Sequence, residues 1–419
     1  MPEMNEKYIC LIDAYSSGAK LARYLDENYD VRILHVQSSV EILPIYKASF
    51  ESALFEYNFI FTGDFSELNR WLKAYPITEV IAGAESGVML ADEIAARLGL
   101  QGNPVKSSEQ RRNKYLMGEA LRRAGLPHAH QLKMNARDDL DEQIAMIKKW
   151  PVVVKPLNSA GSDGVSICHN DTELKTKAVL LFGQVNKLGS VNDELLVQER
   201  LFGQQYIVNT ISERGRHFIT EVWKDDRIEV EGAGLIYDKE LNMDIDDASL
   251  KNINHYTLQV LDALEITHGP SHVELMCTEE GPRLIEVSAR LQGGISHKAV
   301  STAIGESHIS ITALLLGSRP KLHKYLSTRS RTAELMAVSL ISKSDGIIVS
   351  SHIEDTVCKL DSFYEFVSCP TMGDTLHKTI DLFTCPGVLY LLHQDSSVLQ
   401  RDYQKIREWE RQGKLFTTA

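Results

Sequence analysis

The sequence predicts a mixed α/β and α+β chain made of three units. Three observations carry that reading. Strands alternate with helices over the first hundred residues. Strands and turns then crowd together to about residue 235. A last group of strands with a closing charged helix follows after about residue 325.

YICLID (8–13) has the unbroken apolar character of a buried strand, and AYSSG turns the chain into a helical stretch ending near Asn28. VRILHV, YNFIFT and EVIAG supply three more strands, and LADEIAARLGL is an amphipathic helix. This alternation predicts a parallel sheet with helices on both faces. Pro and Gly in GNP (102–104) end the unit. A charged helix is expected over 108–124, stopped by AGLP, with Gly at its end and Pro beyond. PVVVK, GVSIC, ELLVQER, YIVNTIS and HFITEVW read as strands, and a helix near 252–265 precedes another strand pair. AVSLIS, GIIVSS and GVLYLLH are the strands of the third unit. Its last segment, QRDYQKIREWERQ, reads by charge density as a solvated surface helix.

Composition narrows the function classes. The 419 residues carry 45 Lys+Arg against 57 Asp+Glu, a net charge of −12, and 43% hydrophobic residues. That balance argues against nucleic acid or an acidic membrane as partners through bulk charge. No apolar run approaches the roughly 20 residues that span a bilayer. MPEMNEKYICLIDAY lacks the basic flank, apolar core and cleavage site of a secretory leader. Six scattered cysteines without a CxxC pattern suggest reduced thiols in the cytoplasm.

The stretch VVVKPLNSAGSDGV (152–165) carries Lys155 out of a β-branched strand into a small-residue loop. No GxxxxGK[ST] phosphate motif occurs, and GAG at 232–234 lacks the third glycine of a dinucleotide fingerprint. The 158–164 loop can still cradle phosphates. Gly161 and Gly164 let main-chain N–H groups converge, Ser159 and Ser162 add hydroxyls, and Lys155 adds a charge. Read alone, the loop is more simply a flexible hairpin between strands 151–155 and 165–168, since glycine-serine turns are common.

SHVELMCTEEGPRLIEVSAR (271–290) forms a second constellation. A hairpin centred near Glu280 sets Glu274 opposite Glu286 and His272 opposite Ser288, with Arg290 on the same phase. The other face then reads Val273, Leu275, Ile285 and Val287. Like charges directly across a hairpin destabilise it, and a divalent cation removes the conflict. Mg²⁺ suits one or two carboxylates plus substrate phosphates. Exposed glutamates, or a bulge that shifts the register, are the alternatives. Glu85 follows the fourth strand, where open α/β sheets bind ligands; a loop-surface carboxylate is its other reading. His272 fits a substrate contact or a packed hairpin histidine. Asp244, Asp246 and Asp247 read as a solvated loop, with attraction of a cationic substrate as the alternative.

Together these segments resemble the ATP-grasp superfamily, and within it the carboxylate–amine ligases. The resemblance spans roughly residues 8–320, through VIAGAESGVMLADEIAARLGL, NKYLMGEALRRAGLP, VVVKP with its loop, LVQERLFGQQYIVN and HVEL…PRLIEVSARLQGG. It implies a Rossmann-like parallel-sheet domain at 1–104, an ATP-grasp domain at 105–322 with a mobile lid at about 128–198, and a C-terminal α+β domain at 323–419. Lys114 and Lys155 match the lysines that reach ATP phosphates, and Ser159, Gly161, Ser162 and Gly164 match the lid. Gln198, Glu199, Arg200 and Leu201 match the hinge on which adenine packs. Gln205 falls where the family often has a ribose-binding Glu. Glu274 and Glu286 match the magnesium carboxylates, and Ser288 stands where Asn is common. Arg290, with Lys155, takes the catalytic place. Glu85, His272, Arg290, Gly293 and Gly294 fall around the substrate.

L-amino acid ligases, which make dipeptides, are similar further, through H-x-E…E-x-x-A-R and an extra C-terminal domain. The resemblance implies ATP-dependent coupling of two small molecules, a carboxylate and an amine, most simply L-amino acids, with ADP and phosphate as products. Two Mg²⁺ ions, replaceable by Mn²⁺, are implied as cofactors, and homodimer formation is left open. Another ATP-grasp ligase, a carboxylase-type enzyme without a visible biotin segment, and a non-catalytic nucleotide-binding regulator are the rivals. Retention of Glu274, Glu286 and Arg290 argues against the regulator, because binding alone does not need transition-state groups.

Overall fold

The computed structural model describes residues 7–159, 161–230, 234–381 and 384–419. Ala160 of the glycine loop and two residues of GAG, Gly232 and Ala233, lie outside them.

Strands β1 (Tyr8–Ile12), β2 (Arg32–Gln37), β3 (Tyr57–Ile60) and β4 (Ile77–Ala82) form a parallel sheet in the order β3-β2-β1-β4. Every residue of β1 is buried, as its apolar run requires. Its alternate side chains feed two cores: Cys10 and Ile12 one, Ile9 and Leu11 the other. The chain crosses itself closely at the C-terminal edge of this sheet. A Cβ on Gly18 would lie 2.5 Å from the Cα of Gly83, so only glycine lets the helix Ser17–Asn28 start against the end of β4. That crossing brings Ser16, Ser17 and Glu85 to one place.

The expected helix over 108–124 begins only at Lys114, with the Asn113 side chain capping Tyr115 and Leu116. Tertiary pairing decides the difference. Arg111 is fully buried and donates to Asp92 at 2.8 Å and to the Leu264 carbonyl at 3.0 Å, which holds residues 105–111 in short 3₁₀ turns.

Strands β5 (Gln131–Asn135), β6 (Val152–Pro156), β7 (Ser166–Cys168) and β8 (Glu194–Glu199) form an antiparallel sheet ordered β5-β8-β6-β7. The glycine loop connects β6 to β7.

The remaining strands are β9 (Gln204–Glu213), β10 (Arg216–Val230), β11 (Gly234–Met243), β12 (Gly269–Thr278), β13 (Gly281–Ser288), β14 (Glu334–Ser339), β15 (Gly346–Ser351), β16 (Phe363–Ser368), β17 (Thr375–Leu376), β18 (Val388–His393) and β19 (Phe416–Thr418). Eight of them form one sheet in the order β13-β12-β9-β10-β11-β14-β18-β16. It runs without a break across the expected boundary at 322/323, because β11 pairs with β14. Val208, Val222 and Val273 pack on one face, against the helix Lys251–Ala263; Ile207 and Trp223 pack on the other.

The closing helix, Ser396–Arg411, departs from the solvated reading. Leu399, Asp402, Tyr403 and Ile406 are buried. The Tyr403 hydroxyl donates to Asp238 at 2.7 Å, and Arg407 donates to Asp238 and to the Ser339 carbonyl. Arg407 is therefore a docking group on the central sheet, while Arg401, Lys405, Glu408 and Arg411 stay exposed. Among the described residues no single helix is long and apolar enough to cross a membrane.

Candidate active site

The β12–β13 hairpin sets Glu274 opposite Glu286 and His272 opposite Ser288, as expected. The route to that register differs from the expectation. The turn is two residues long, since Thr278 pairs with Gly281, and a bulge next to Leu275 restores the pairing further on. The bulge also changes which side chains face the core. Leu284 is buried there, while Ile285 turns to the opposite side and lines a cavity with Met276.

Cations gather around the two carboxylates. Lys114 Nζ lies 3.1 Å from Glu286, and Arg227 lies 3.7 Å from Glu274. Gln205 donates to Glu274 at 3.1 Å, and His272 Nε2 is 3.3 Å from it. Burial pushes the Glu274 carboxyl up, but the His272 contact and the Arg227 charge outweigh it and hold it below the ordinary carboxylate range. Glu274 is thus an anion ready for a cation. No group of three or more metal-binding side chains occurs among the described residues. Two carboxylates beside two lysines fit Mg²⁺, whose remaining positions would go to phosphates and water.

A cavity of about 360 Å³ opens from this pair. It is lined by Lys114, Lys155, Ser159, Gly161, Ser162, Gly164, Gln198, Glu199, Arg200, Leu201, Gln205, Glu274 and Glu286, which are all the residues expected around nucleotide and metal. Val153, Ile167, Leu235, Met276 and Ile285 give it apolar walls. Lys155 is 5% exposed; burial, then the Lys114 charge, brings its ammonium down to about 8, against the pull of Glu286 and Glu274. Lys114 Nζ also donates to the Ser159 carbonyl at 2.6 Å, so it ties the loop to the facing glutamates.

In the loop, Gly161 and Gly164 have φ of 69° and 67°, and Ser162 adopts 61°. Three left-handed residues within four curl the backbone as an anion cradle requires. Asp163, which the sequence reading passed over, accepts from Ser159 Oγ at 2.6 Å and from the Lys187 N–H at 2.8 Å, and so pins the loop. At the hinge, the Glu199 N–H donates to the His130 carbonyl and the Arg200 N–H to the Pro151 carbonyl. The Glu199 side chain accepts from the His130 N–H at 2.8 Å.

A second cavity of about 330 Å³ adjoins the first and shares Gly161, Tyr237 and Glu274 with it. Glu85, His272, Arg290, Gly293 and Gly294 all line it. Glu85 is 3% exposed, so it is no surface carboxylate. One oxygen takes Arg290 Nε at 2.9 Å and the other Arg112 at 2.7 Å, so Glu85 positions Arg290. Burial raises the Glu85 carboxyl, yet the flanking Arg112 and Arg290 guanidiniums prevail and hold it at about 2. His272 is engaged on both nitrogens, by Asn209 at 3.1 Å and by Glu274. Asn209 in turn donates to Glu221 at 2.9 Å and to Gln292 at 2.6 Å. This buried polar net supports the floor of the cavity. Its sequence signal was the polar Asn209 inside the apolar strand YIVNTIS. Asp244, Asp246 and Asp247 line neither cavity.

A family profile described as the ATP-grasp domain matches residues 148–298. The chain is 32% identical over 418 residues to the dapdiamide A synthase of Enterobacter agglomerans, covering 97% of this chain and 96% of that one. It is 22% identical over 249 residues to the L-arginine-specific L-amino acid ligase of Bacillus subtilis, covering 58% and 59%. Among solved structures, an L-amino acid ligase from Bacillus licheniformis superposes with a TM-score of 0.73 at 15% identity, covering 97% of this chain and 98% of the other, which speaks to fold.

Proposed function

This chain is a member of the ATP-grasp family, an ATP-dependent carboxylate–amine ligase, and we propose that it joins the carboxylate of one L-amino acid to the amine of another. One observation carries the proposal. A cavity lined by lysines and a curled glycine loop meets an arginine-bearing cavity at Glu274, so phosphate and substrate carboxylate have a common place to react. The relatives' names, a dapdiamide synthase and an amino acid ligase, support an amide product.

A carboxylate resists acylation because its oxygen is a poor leaving group. In the proposed route a carboxylate oxygen attacks the γ-phosphorus, the bond to the ADP oxygen breaks, and ADP leaves. The amine then attacks the acyl carbon, and phosphate departs with the electron pair while the amine gives up a proton. The first cavity takes ATP: Lys114 and Lys155 hold phosphates, the 158–164 loop covers them, and Gln198 to Leu201 face the adenine. Gln205 points to Glu274, which favours an indirect role for it over a ribose contact. Mg²⁺ held by Glu274 and Glu286 would shield the phosphate charge. Arg290, fixed by Glu85, neutralises the phosphoryl group and the acyl phosphate. Closing the loop keeps water from the intermediate. None of the six cysteines lines either cavity, which supports chemistry without thiols.

The test is mass spectrometry of a reaction with ATP, Mg²⁺ and the twenty amino acids. A dipeptide mass with ADP is expected. ADP formed only with some other carboxylate would overturn the substrate assignment.

A further inference from the structure

We propose that Glu240 anchors the ammonium group of an amino-acid substrate in the second cavity, an inference that rests on the amino-acid reading above. Glu240 lies on β11, opposite Asp225 of β10 and Ala337 of β14, and lines the cavity with Arg290. The other carboxylates there are tied: Glu85 to two arginines, Glu274 to Gln205 and His272. The Glu240 carboxylate makes no hydrogen bond or ion pair among the described residues.

The nearby cations are already committed. Arg227 donates to Asp225 at 2.9 Å and lies over the Tyr237 ring. Lys239 pairs with Asp226 at 2.8 Å and lies over Tyr403. Asp225 and Glu221 of β10, Glu274 of β12 and Tyr390 of β18 add no positive charge. Burial, then the Asp225 charge, therefore pushes the Glu240 carboxyl up. An unpaired, partly buried carboxylate is costly, and a cation arriving with the substrate removes that cost. The surroundings suit an ammonium on a small organic body, since Ile207, Ala337, Val388 and Tyr390 supply apolar surface. Arg290 in the same cavity suits the substrate's carboxylate. A carboxylate and an arginine in one apolar cavity match the two charged ends of an amino acid.

Either amino acid can supply the ammonium, and the experiment separates them. In the first arm, Glu240→Gln is assayed with ATP, an amino acid as acyl donor and hydroxylamine as nucleophile, so that hydroxamate reports the donor alone. In the second arm, amide formation is followed while the acceptor amino acid is varied. Removing one charge-assisted contact raises the KM of the anchored substrate roughly ten- to hundredfold. A rise for the donor, absent for a donor lacking the α-amino group, assigns the donor's ammonium. A rise confined to the acceptor assigns the acceptor's. Affinity for an ATP analogue should stay within twofold, which checks the fold, and Glu240→Asp, which keeps the charge, should recover part of the loss. Both KM values within twofold of the parent, or equal losses with and without the ammonium, overturn the inference. A parent protein that uses no amino acid at all refutes the functional reading instead.

Discussion

Lys155→Met should stabilise the nucleotide-free protein while destroying its activity. The magnitude follows from burial. The Lys155 ammonium falls from its ordinary 10.5 to about 8 in the folded chain, with burial the largest cause. At about 1.4 kcal/mol for each tenfold change in proton affinity, keeping it charged at neutral pH costs the empty fold roughly 3 kcal/mol. Because the folded value lies below the unfolded one, the penalty is full below about 8 and fades as pH rises towards 10.5. Methionine keeps most of the volume and removes the charge. Urea denaturation without nucleotide should therefore show a higher midpoint for the variant at pH 7, with the gap closing above pH 8. Saturating ATP analogue should reverse the order, because phosphates reward the ammonium. A variant no more stable than the parent without nucleotide would refute the argument that Lys155 is a strained charge awaiting phosphate. The same titration predicts that kcat/KM for ATP declines as pH climbs through about 8.

Glu286→Gln should fold normally and lose turnover, since it removes one of the two facing carboxylates; near-normal activity in a folded variant would count against the metal assignment. Arg290→Ala should slow the reaction on the order of 10²–10³-fold, read as kcat at saturating substrates. Glu85→Gln should weaken the fold and lower kcat without moving ATP affinity. The Glu85 carboxyl is depressed, so its contribution is present above the ordinary carboxylate range and lost as pH falls towards 2; the acid-unfolding curve of the variant should be flatter there. Residues 158–164 should gain amide-exchange protection with an ATP analogue, and equal protection in both states would argue against a lid.

The parts of the site legible in sequence are those fixed by local periodicity. Alternation along β12 and β13 was enough to face Glu274 with Glu286, although a bulge sent Ile285 to the cavity and Leu284 to the core. Lys155 and its loop were legible only in combination with the facing glutamates, because a β-branched run ending in glycine and serine also fits a plain turn between strands. The misses are long-range. Arg111 meets Asp92 and the Leu264 carbonyl, which shortens a helix that composition alone extends. The charge-dense closing helix looked solvated because Asp238, its buried partner, is 169 residues from Arg407. Glu85 lines the expected substrate cavity, but nothing local in the sequence announces Arg112 and Arg290 on either side of it. Glu240 is silent in the sequence for a related reason: a single glutamate in a strand becomes informative only once its neighbours are seen to leave it unpaired.

The acyl phosphate is the step on which the proposed chemistry turns, and oxygen transfer tests it. An acyl donor labelled with ¹⁸O in its carboxylate is incubated with ATP, Mg²⁺ and an acceptor amino acid, and the products are weighed. Inorganic phosphate should carry one ¹⁸O from the carboxylate, and ADP should be unlabelled. Label in AMP, or unlabelled phosphate alongside amide, would contradict it.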